Sequence, residues 1–520
     1  MILINACQDD TMKVFQPFAR YNVPVGIGYL YAVLRMHGLP VHLIDEQVAD
    51  DTLGLVENYR RQLAPPYTFG FSVLTAGLSR SLHLARRLKQ SIPGCKVVFG
   101  GIHPSAAPEE ILAFPQVDLV VRGEAEDVIL DLYQALKRGE DTQHLPNLSY
   151  RRNGRLVHNP LQTKPVDLDA LPPFPYELFT APQYDLGAVM SSRGCPYNCI
   201  FCSNRVTTGK RYRYRAAEKI AQEIKTLHDQ YGIRHILFLD DNLMVDRSRV
   251  YALLNQLRQM GLQGRISYTF QSRCDNVDQA TLGDLYAAGF SNISFGLETA
   301  SDHVMQTIKK GETVAQCHSA VALAKQIGFH VSATFIFGLP GETHAERLQS
   351  IAFAREHNLD LVRFNNATPY PGTELNVIAA KDGGLNVQGV YRNFNSVSTI
   401  IENPFNKMTF SYVPPGSSEE AIRNDILLAY LATYLNPRRL ATLFKDQAPV
   451  KRWFNPGKTK LDLIRKLPAL FVLTGTMAIK FTKLIWDVCW RRDTDITLRE
   501  FLYVVFSTPS AAEGTGQGGK

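Results

Sequence analysis

The segment Ser192-Arg193-Gly194-Cys195-Pro196-Tyr197-Asn198-Cys199-Ile200-Phe201-Cys202 places three cysteines in one short loop with the spacing CxxxCxxC. Iron–sulfur cubanes are normally held by four thiolates, and no fourth cysteine lies close enough in sequence to join this loop. We therefore expect a cluster with one iron open to another ligand. Gly194 and Pro196 let the backbone curl around such a cluster. A zinc knuckle or the remnant of a disulfide is the alternative, but structural zinc needs four closed ligands, and no second pair follows.

At these residues the chain resembles the radical S-adenosylmethionine enzymes, whose signature is CxxxCxΦC with an aromatic residue at Φ. Phe201 fills that position, and the resemblance implies that Phe201 contacts S-adenosylmethionine. The resemblance implies a [4Fe–4S] cluster ligated by Cys195, Cys199 and Cys202. It also implies that the open iron binds the amino and carboxylate groups of S-adenosylmethionine, and that reduction cleaves this cofactor to a 5′-deoxyadenosyl radical.

Length and composition indicate how many domains the chain has and which kinds of partner it could bind. Its 520 residues predict two or three domains. Hydrophobic residues make up 45% and charged residues 20%, a balance that excludes an intrinsically disordered protein. The formal net charge is +7, and two groups of basic residues indicate a solvated face, an anionic substrate or an anionic lipid surface. They are Arg205, Lys210, Arg211, Arg213 and Arg215, and then Arg438, Arg439, Lys445, Lys451, Arg452, Lys458, Lys460, Arg465 and Lys466.

The cysteine count and the N-terminus both predict a cytoplasmic protein. Eight cysteines, three of them in the loop, do not have the pattern of a disulfide framework in a chain of this length. Met1-Ile2-Leu3-Ile4-Asn5 lacks a basic region and a long apolar region, so it is predicted to be a first strand and not a signal peptide. Cys274 and Cys317 have no predicted partner and are expected to be small core residues.

Residues 1–160 alternate short apolar runs with helical stretches, which predicts an α/β domain with a doubly wound parallel sheet. The predicted strands are 2–4, 41–45, 68–73, 96–101 and 117–121. Ligands of such sheets bind beyond the carboxyl ends of the strands. The candidate ligand residues at that edge are Thr75, Gly100, Gly101, His103, Pro104, Gly123 and Glu124.

Two turns of this domain, Gly100-Gly101-Ile102-His103-Pro104 and Arg122-Gly123-Glu124-Ala125-Glu126, resemble the Rossmann-like cobalamin-binding domain of one large radical S-adenosylmethionine subfamily. The resemblance implies cobalamin as a further cofactor, contacted by the edge residues. The DxHxxG motif, whose histidine ligates cobalt in many cobalamin enzymes, is absent. We expect His103 to be a hydrogen-bonded loop residue and cobalamin to bind without a histidine below the cobalt. A domain that kept the fold and lost the cofactor is the alternative.

The rest of the chain divides into a linker, a barrel and a helical region. Residues 161–183 are rich in proline and are predicted to be the linker. Helices and strands then alternate over residues 184–385 as in a partial (β/α)₆ barrel of TIM type, which the resemblance also implies, with functional residues at the carboxyl ends of the strands. Residues 386–510 are predicted to be mostly helical, and 511–520 to be a disordered tail.

Polar residues stand where the predicted barrel strands end: Asp240, Asp241, Arg273, Glu298, Asn365 and Asn366. Each alone is explained by capping of the next helix, but together they favour ligand contact because charges are rarely buried unpaired. By resemblance, Asp240 and Asp241 occupy the position of the GGE motif, which takes the methionyl amino group of S-adenosylmethionine. Arg273 and Glu298 correspond to contacts with its carboxylate and ribose, and Ile336 to packing on adenine. The chain departs from the family pattern in lacking the GGE glycines and in having Thr334 at a usual glycine.

Residues 467–490 are apolar except where charged residues such as Lys480 and Lys483 interrupt them. The uninterrupted part is too short to span a bilayer. Basic residues beside a stretch rich in Leu, Phe, Ile and Trp are typical of an interfacial helix, and ordinary packing in a helical bundle is the alternative.

The resemblance implies an enzyme that methylates an unactivated carbon, with the radical removing hydrogen and methylcobalamin donating the methyl group. One alternative is a radical cyclase similar to the anaerobic magnesium-porphyrin cyclase, and another is a non-catalytic cobalamin or cluster sensor. We expect an apolar small-molecule substrate, because the 434–438 segment resembles cobalamin-type enzymes that act on tetrapyrroles and polycyclic lipids. We also expect an electron donor such as flavodoxin or ferredoxin, no nucleic acid and peripheral contact with the inner membrane face. The sequence assigns no catalytic residue and no oligomeric state.

Overall fold

The structure is a computed structural model that describes residues 1–7, 20–405, 407–434, 460–491 and 494–506. It confirms the predicted fold class, with an N-terminal sheet domain, a partial barrel and C-terminal helices. The predicted tail at 511–520 and the basic residues between 438 and 458 lie outside the described residues.

The N-terminal part is a sheet with helices on its faces. Its strands are β1 (Ile2–Asn5), β3 (His42–Asp45), β4 (Thr68–Ser72), β5 (Lys96–Gly100), β6 (Leu119–Val121), β7 (Leu148–Arg152) and β8 (Arg155–His158). The short strand β2 (Tyr21–Asn22) pairs separately with β9 (Tyr184–Asp185). The helices of the N-terminal part are α1 (Val25–Met36), α2 (Thr52–Arg60), α3 (Leu78–Ser91), α4 (Ile102–Ala106), α5 (Pro108–Ala113) and α6 (Ile129–Arg138). The strand order is β3-β1-β4-β5-β6-β7-β8. The first five of these pair in parallel, so their carboxyl ends share one edge, as predicted.

The last two strands correct the expectation of a purely parallel sheet. β7 pairs antiparallel with β6, and β8 pairs antiparallel with β7. Two residues with positive φ join β7 to β8, Asn153 at 51° and Gly154 at 76°. An Asn-Gly pair in this conformation makes the tight turn of a hairpin, and two residues are too few for a parallel crossover. Asn153-Gly154 is therefore a hairpin signal that the sequence itself carries.

The second sheet is the partial barrel. Its strands and flanking pairs are β9 (Tyr184–Asp185), β10 (Ala188–Val189), β11 (Ser192–Arg193), β12 (Arg213–Tyr214), β13 (His235–Phe238), β14 (Ser267–Ser272), β15 (Phe290–Glu298), β16 (His330–Phe337) and β17 (Leu361–Asn366). The helices are α7 (Arg205–Thr208), α8 (Ala217–Tyr231), α9 (Arg247–Gln259), α10 (Gln279–Ala287), α11 (Asp302–Thr307), α12 (Val314–Ile327), α13 (His344–Glu356) and α14 (Glu374–Lys381). Six strands pair in parallel in the order β10-β13-β14-β15-β16-β17.

Local sequence explains why these elements begin and end where they do. Burial alternates residue by residue along β16, as in a strand whose two faces meet different surroundings. Thr313 and Thr343 open α12 and α13 with capping boxes, in which Gln316 and Glu346 return the hydrogen bond. Gly232 and Gly328 end α8 and α12 in the left-handed conformation.

The C-terminal helices close the open edge of the barrel. They are α15 (Ser398–Ile401), α16 (Glu419–Tyr434), α17 (Lys460–Trp486) with a π-helical turn at Asp487–Arg491, and α18 (Leu498–Phe506). The Tyr430 hydroxyl accepts a hydrogen bond from the Phe364 backbone N–H at 3.1 Å, and the Tyr434 hydroxyl contacts both backbone groups of Val362 at 2.8 Å. These hydroxyls occupy the free backbone groups of edge strand β17, which would otherwise pair with another chain. The helices also share the barrel's hydrophobic core.

Charged residues join the N-terminal sheet to the barrel. The Arg193 guanidinium lies 3.0 Å from the Glu124 carboxylate and 2.7 Å from that of Glu126. Arg213, which pairs with Arg193 across β11 and β12, lies 2.8 Å from Glu124. All four side chains are largely buried. We call them the interdomain ion network. Glu124, predicted as a ligand contact, is thus also a structural contact.

Breaking the interdomain ion network should loosen the contact between the two sheets. Glu124→Gln with Glu126→Gln leaves two largely buried guanidinium groups without a counter-charge, at a cost of about 3–5 kcal/mol. We expect proteinase K to cleave within residues 161–183 at least about tenfold faster. Glu57→Gln with Glu140→Gln is the control, because these glutamates form exposed ion pairs. Equal cleavage of the two double variants would contradict the prediction.

Candidate active site between the two sheets

The cysteine loop is fixed by its neighbours on both sides. Gly194, just before Cys195, has a φ of +86°, and a β-carbon there would clash with the Arg211 carbonyl oxygen. No other residue fits this position without moving the backbone. At the far side, the Ile200 N–H donates to the Ile308 carbonyl at 3.1 Å, and the Ile200 carbonyl accepts from Leu375 at 2.9 Å. The loop is therefore held in one conformation.

The three thiols fit a cubane better than a closed zinc site. Cys195, Cys199 and Cys202 are free and partly buried. Structural zinc is held by four closed protein ligands, whereas a cubane held by three thiolates keeps one iron open. The donor set thus fits a [4Fe–4S] cluster with one open iron.

A buried group of charges lies beside the cysteine loop. The Lys310 ammonium lies 3.6 Å from Glu298 and 3.5 Å from Glu312. Burial disfavours its charge, but the two glutamates raise its pKa above the ordinary value. Burial raises the pKa of Glu298, whose φ of +68° is rare for a side-chain-bearing residue. Burial also raises the pKa of Cys199, which Lys310 and Arg273 lower in part.

Arg273 has an unused donor in this group. Its guanidinium carbon lies 3.6 Å from the centre of the Tyr197 ring, and two of its nitrogens donate to Asp275 at 2.9 and 2.8 Å. Its Nη1 atom is buried and has no hydrogen-bond partner. A buried guanidinium donor without a partner is costly, so this atom suits an anionic ligand such as a carboxylate, as the sequence predicts for Arg273.

An apolar platform accompanies these charges. Phe201 and Ile336 belong to one hydrophobic cluster with Ile200, Ile308 and Leu339. The sequence predicted both Phe201 and Ile336 as contacts of S-adenosylmethionine, and their contact with the same cluster supports that prediction.

Asp240 and Asp241 follow the same strand and have different roles. Asp240 is fully buried. One of its oxygens accepts from the backbone N–H groups of Ser191 and Ser192 at 2.7 and 2.8 Å, and the other contacts the Ser191 hydroxyl and Arg249. No oxygen is left for a ligand, which argues against its predicted contact with S-adenosylmethionine.

Asp241 faces a cavity and contacts Asn204. It is exposed to that cavity, but the surrounding protein and Asp240 raise its pKa to about 6. Of the two acids, Asp241 is the one placed to meet a ligand.

A cavity of about 420 Å³ lies between the N-terminal sheet and the barrel. From the sheet side it is lined by Leu3, Val25, Gly26, Ile27, Leu30, Gly70, Phe71, Ser72, Val98, Gly100, Gly101, Ile102, Val121, Gly123, Glu124, Ala125, Glu126 and Ile129. From the barrel side it is lined by Met190, Ser192, Arg193, Gly194, Asn204, Thr207, Thr208, Leu239 and Asp241. It thus joins the carboxyl edge of one sheet to the start of the cysteine loop.

Four of the predicted cobalamin contacts line this cavity, namely Gly100, Gly101, Gly123 and Glu124. Gly101 has a φ of +102°, and a β-carbon there would meet the Val73 backbone. Thr75, His103 and Pro104 are buried outside the cavity lining. The cavity continues as an apolar slot between the sheet and helices α1 and α6, through residues such as Leu3 and Ile129. We call Gly100, Gly101 and Gly123 the glycine edge. Glycines beside an apolar slot leave room for a large flat cofactor.

His103 packs against the chain and does not face the cavity. Its Nδ1 atom lies 3.1 Å from the Thr75 hydroxyl, and its ring lies edge-on to Tyr391 at 4.9 Å. Burial lowers its pKa to about 4. The hydrogen bond agrees with the prediction for His103, but the residue lies in helix α4 and not in a loop.

Lys310, Glu312, Arg193 and Met190 were not predicted from the sequence. Lys309-Lys310-Gly311-Glu312 follows the strand that ends at Glu298, and this charged turn was the available signal for two of them. Asn366 contacts Thr368 and Ser398, so it holds the chain at the end of β17. Cys274 and Cys317 are buried, as expected, but their side chains hydrogen-bond to each other, a pairing that the sequence did not predict.

Comparison with known proteins identifies the family. The radical SAM superfamily model matches residues 189–354, and the B12 binding domain model matches residues 14–132. An uncharacterised methyltransferase of Pyrococcus horikoshii is 32% identical over 429 residues, which cover 81% of this chain and 89% of that protein. The chain belongs to the cobalamin-dependent radical S-adenosylmethionine enzymes.

Two further relatives of this radical S-adenosylmethionine enzyme are informative. The anaerobic magnesium-protoporphyrin IX monomethyl ester cyclase of Cereibacter sphaeroides is 26% identical over 370 residues, which cover 68% of this chain and 59% of the cyclase. The solved structure of the cobalamin-dependent enzyme OxsB, with aqua-cobalamin and S-adenosylmethionine bound, has a TM-score of 0.66 at 17% identity and covers 94% of this chain and 79% of that one. The predicted family and its cofactors, a [4Fe–4S] cluster, S-adenosylmethionine and cobalamin, are confirmed. The individual cofactor contacts stay predictions.

Replacing Asp240 and replacing Asp241 should have different effects on the stability of this radical S-adenosylmethionine enzyme. Asp240→Ala leaves two buried N–H groups and Arg249 unpaired, so we expect the free energy of unfolding to fall by about 3–5 kcal/mol. Asp241→Ala, the matched control, should change it by less than about 1 kcal/mol because Asp241 faces the cavity. Urea titration followed by circular dichroism measures both. Equal losses would show that the assignment of roles is wrong.

The placement of His103 gives a spectroscopic prediction. We expect the electron paramagnetic resonance spectrum of the cob(II)alamin form to lack nitrogen superhyperfine splitting from a protein histidine. His103→Ala should leave the spectrum unchanged, as should His83→Ala at an exposed position. A splitting that disappears only in His103→Ala would establish His103 as a cobalt ligand.

Proposed function

We propose that this enzyme transfers a methyl group to an unactivated carbon of an apolar small molecule. The observation that carries the proposal is the shared cavity, in which the glycine edge of the sheet and the residues leading into the cysteine loop line one space. A reaction between groups held at the two sides needs this proximity and a fixed orientation. The name of the relative from Pyrococcus horikoshii, a methyltransferase, supports the same reaction.

The residues of this chain bind, orient and exclude water. When bound, cluster-held S-adenosylmethionine supplies the means of removing hydrogen from an unactivated C–H bond, and cobalamin supplies the methyl group. Cys195, Cys199 and Cys202 would hold the cluster, and the Arg273 Nη1 atom would meet the carboxylate of S-adenosylmethionine. Gly100 and Gly101 would leave room for the corrin ring at the sheet edge. The interdomain ion network keeps the two sides in register.

The lining of the cavity favours an apolar substrate. Met190 and Leu239 face it from the barrel side, opposite the apolar slot assigned to the cofactor. Asp241 is among its few charged residues. Apolar walls with few convergent polar groups are typical of a site that recognises an apolar compound by shape and orients it at one end.

Radical cyclisation is the second candidate function. The similarity to the anaerobic cyclase of Cereibacter sphaeroides favours it, since 68% of this chain aligns with that protein. Cyclisation would use the same two sides of the cavity without moving a methyl group.

We assign the electron donor to the class of small acidic proteins that includes flavodoxin and ferredoxin. Lys210 and Arg211 are exposed close to the cysteine loop, and a positive surface there would attract an acidic donor. For its location, we propose the cytoplasm, with peripheral contact at the inner membrane face.

Isotope tracing separates the candidate functions. Anaerobically reconstituted enzyme receives cobalamin, a reductant, apolar candidate substrates and S-adenosylmethionine with a trideuterated methyl group. We expect a product that retains all three deuterium atoms, formed together with 5′-deoxyadenosine, both measured by mass spectrometry. The Cys199→Ala variant should form neither.

The other outcomes contradict methyl transfer. A dehydrogenated or cyclised product without deuterium, formed together with 5′-deoxyadenosine, would favour the cyclase. Bound cobalamin and cluster without any 5′-deoxyadenosine would favour a sensor.

A further inference from the structure

Helix α17 exposes an apolar face to the surroundings. By length and composition alone, the stretch Lys466–Arg491 could cross a membrane, which corrects the expectation that it is too short to span one. Only 11% of its most apolar window is buried in the protein. The exposed fraction is 79% for Phe471, 52% for Trp486 and 65% for Trp490. The other large exposed apolar side chains of this stretch are Leu467, Val472 and Ile479. So much apolar surface is unusual on a protein that meets only water.

The opposite face of the same helix is fixed to the protein. Lys480 is 6% exposed, and its ammonium donates to the carbonyls of Thr399 at 2.6 Å and Ile400 at 3.2 Å. Leu484 and Val488, one and two turns further on, are 1% and 2% exposed. Lys480 therefore divides the helix into an inner face against the protein and an outer apolar face.

The contacts of Lys480 indicate whether helix α17 lies on a membrane or spans it. Lys480 is near the middle of the apolar stretch, and a spanning helix would carry its charge into the hydrocarbon. Spanning would also remove Lys480 from the two carbonyl groups that it pairs with. The helix can keep these contacts and bury Phe471 and Trp490 in lipid only if it lies parallel to the surface.

Helix α18 adds to the exposed apolar surface. Both α17 and α18 pack against α16. The exposed side chains of α18 are Leu498, Leu502, Tyr503 and Phe506. We call the exposed residues of α17 and α18 the outer apolar face.

Basic sequence leads into the outer apolar face. Residues 438–466 contain nine Lys and Arg and two Asp, a net charge of +7 that equals that of the whole chain. The rest of the chain carries 47 basic and 47 acidic residues. Positive charge is thus concentrated in the sequence directly before the apolar stretch, a pattern typical of segments that bind anionic headgroups.

We propose that the outer apolar face binds the surface of an anionic lipid bilayer, with α17 parallel to the membrane and Lys480 retained in the protein. Apolar side chains including two tryptophans, preceded along the chain by basic residues, are the features of an interfacial helix. A second copy of this chain would cover an apolar face as well, but it would carry the same +7 segment and repel it. The proposal goes beyond the proposed reaction and does not depend on it.

Vesicle sedimentation of the full-length protein tests the proposal. We expect binding to vesicles that contain phosphatidylglycerol, and at least about tenfold weaker binding to phosphatidylcholine alone or at high salt. Phe471→Ser with Trp490→Ser should weaken binding at least about tenfold, because both side chains would enter lipid. Met36→Ser with Val377→Ser is the matched control, since these are exposed apolar residues of other helices, and it should bind like the natural chain.

A second measurement tests the orientation. Alkaline carbonate should release the bound protein, because a helix lying on the surface is extracted and a spanning helix is not. Resistance to carbonate, or equal binding of the two double variants, would overturn the proposal. The proposal would also be overturned if the natural chain failed to bind vesicles and instead formed a dimer that Phe471→Ser with Trp490→Ser dissociated. Formation of 5′-deoxyadenosine in vesicle-free solution reports the reaction separately.

Discussion

The contact on which the active-site cavity depends is the largely buried pairing of Arg193 with Glu124 and Glu126. Buried ion pairs add little net stability, but they penalise any arrangement that leaves one charge unpaired. The network therefore restricts how the two sheets meet. Because Arg193 is two residues before Cys195, the same contact positions the cysteine loop relative to the glycine edge of the N-terminal sheet. The cavity shared by the two sides follows from this single constraint.

The C-terminal helices cover the open edge of the partial barrel. A barrel of six strands has open edges, and a free edge strand invites pairing with another chain. Tyr430 and Tyr434 of α16 cap the backbone of β17, so this edge is closed without a further strand. Helix α17 then rests on α16 through its inner face and leaves the outer apolar face free. Edge closure and the proposed lipid contact thus depend on the same pair of helices.

Local sequence signals determined much of this protein. The three cysteines specify a cluster loop because all three protein ligands come from eight consecutive residues. The parallel strands and helices follow from short-range periodicity, and parallel strands necessarily share one carboxyl edge. Gly100, Gly101 and Gly123 were therefore found as cavity residues from sequence. The β7–β8 hairpin was equally local, and Asn153-Gly154 would have revealed it.

Only the tertiary structure decided which polar residues face the cavity. Asp240 and Asp241 are neighbours in sequence but have different surroundings. Asp240 bonds to Ser191, Ser192 and Arg249, whereas Asp241 lines the cavity. Lys310 emerged as a central charge because Glu298 and Glu312 converge on it across a turn. These roles depend on contacts between residues far apart in the chain and on which side of a strand faces inward. Sequence periodicity fixes the alternation of the two faces, and only packing determines what each face meets.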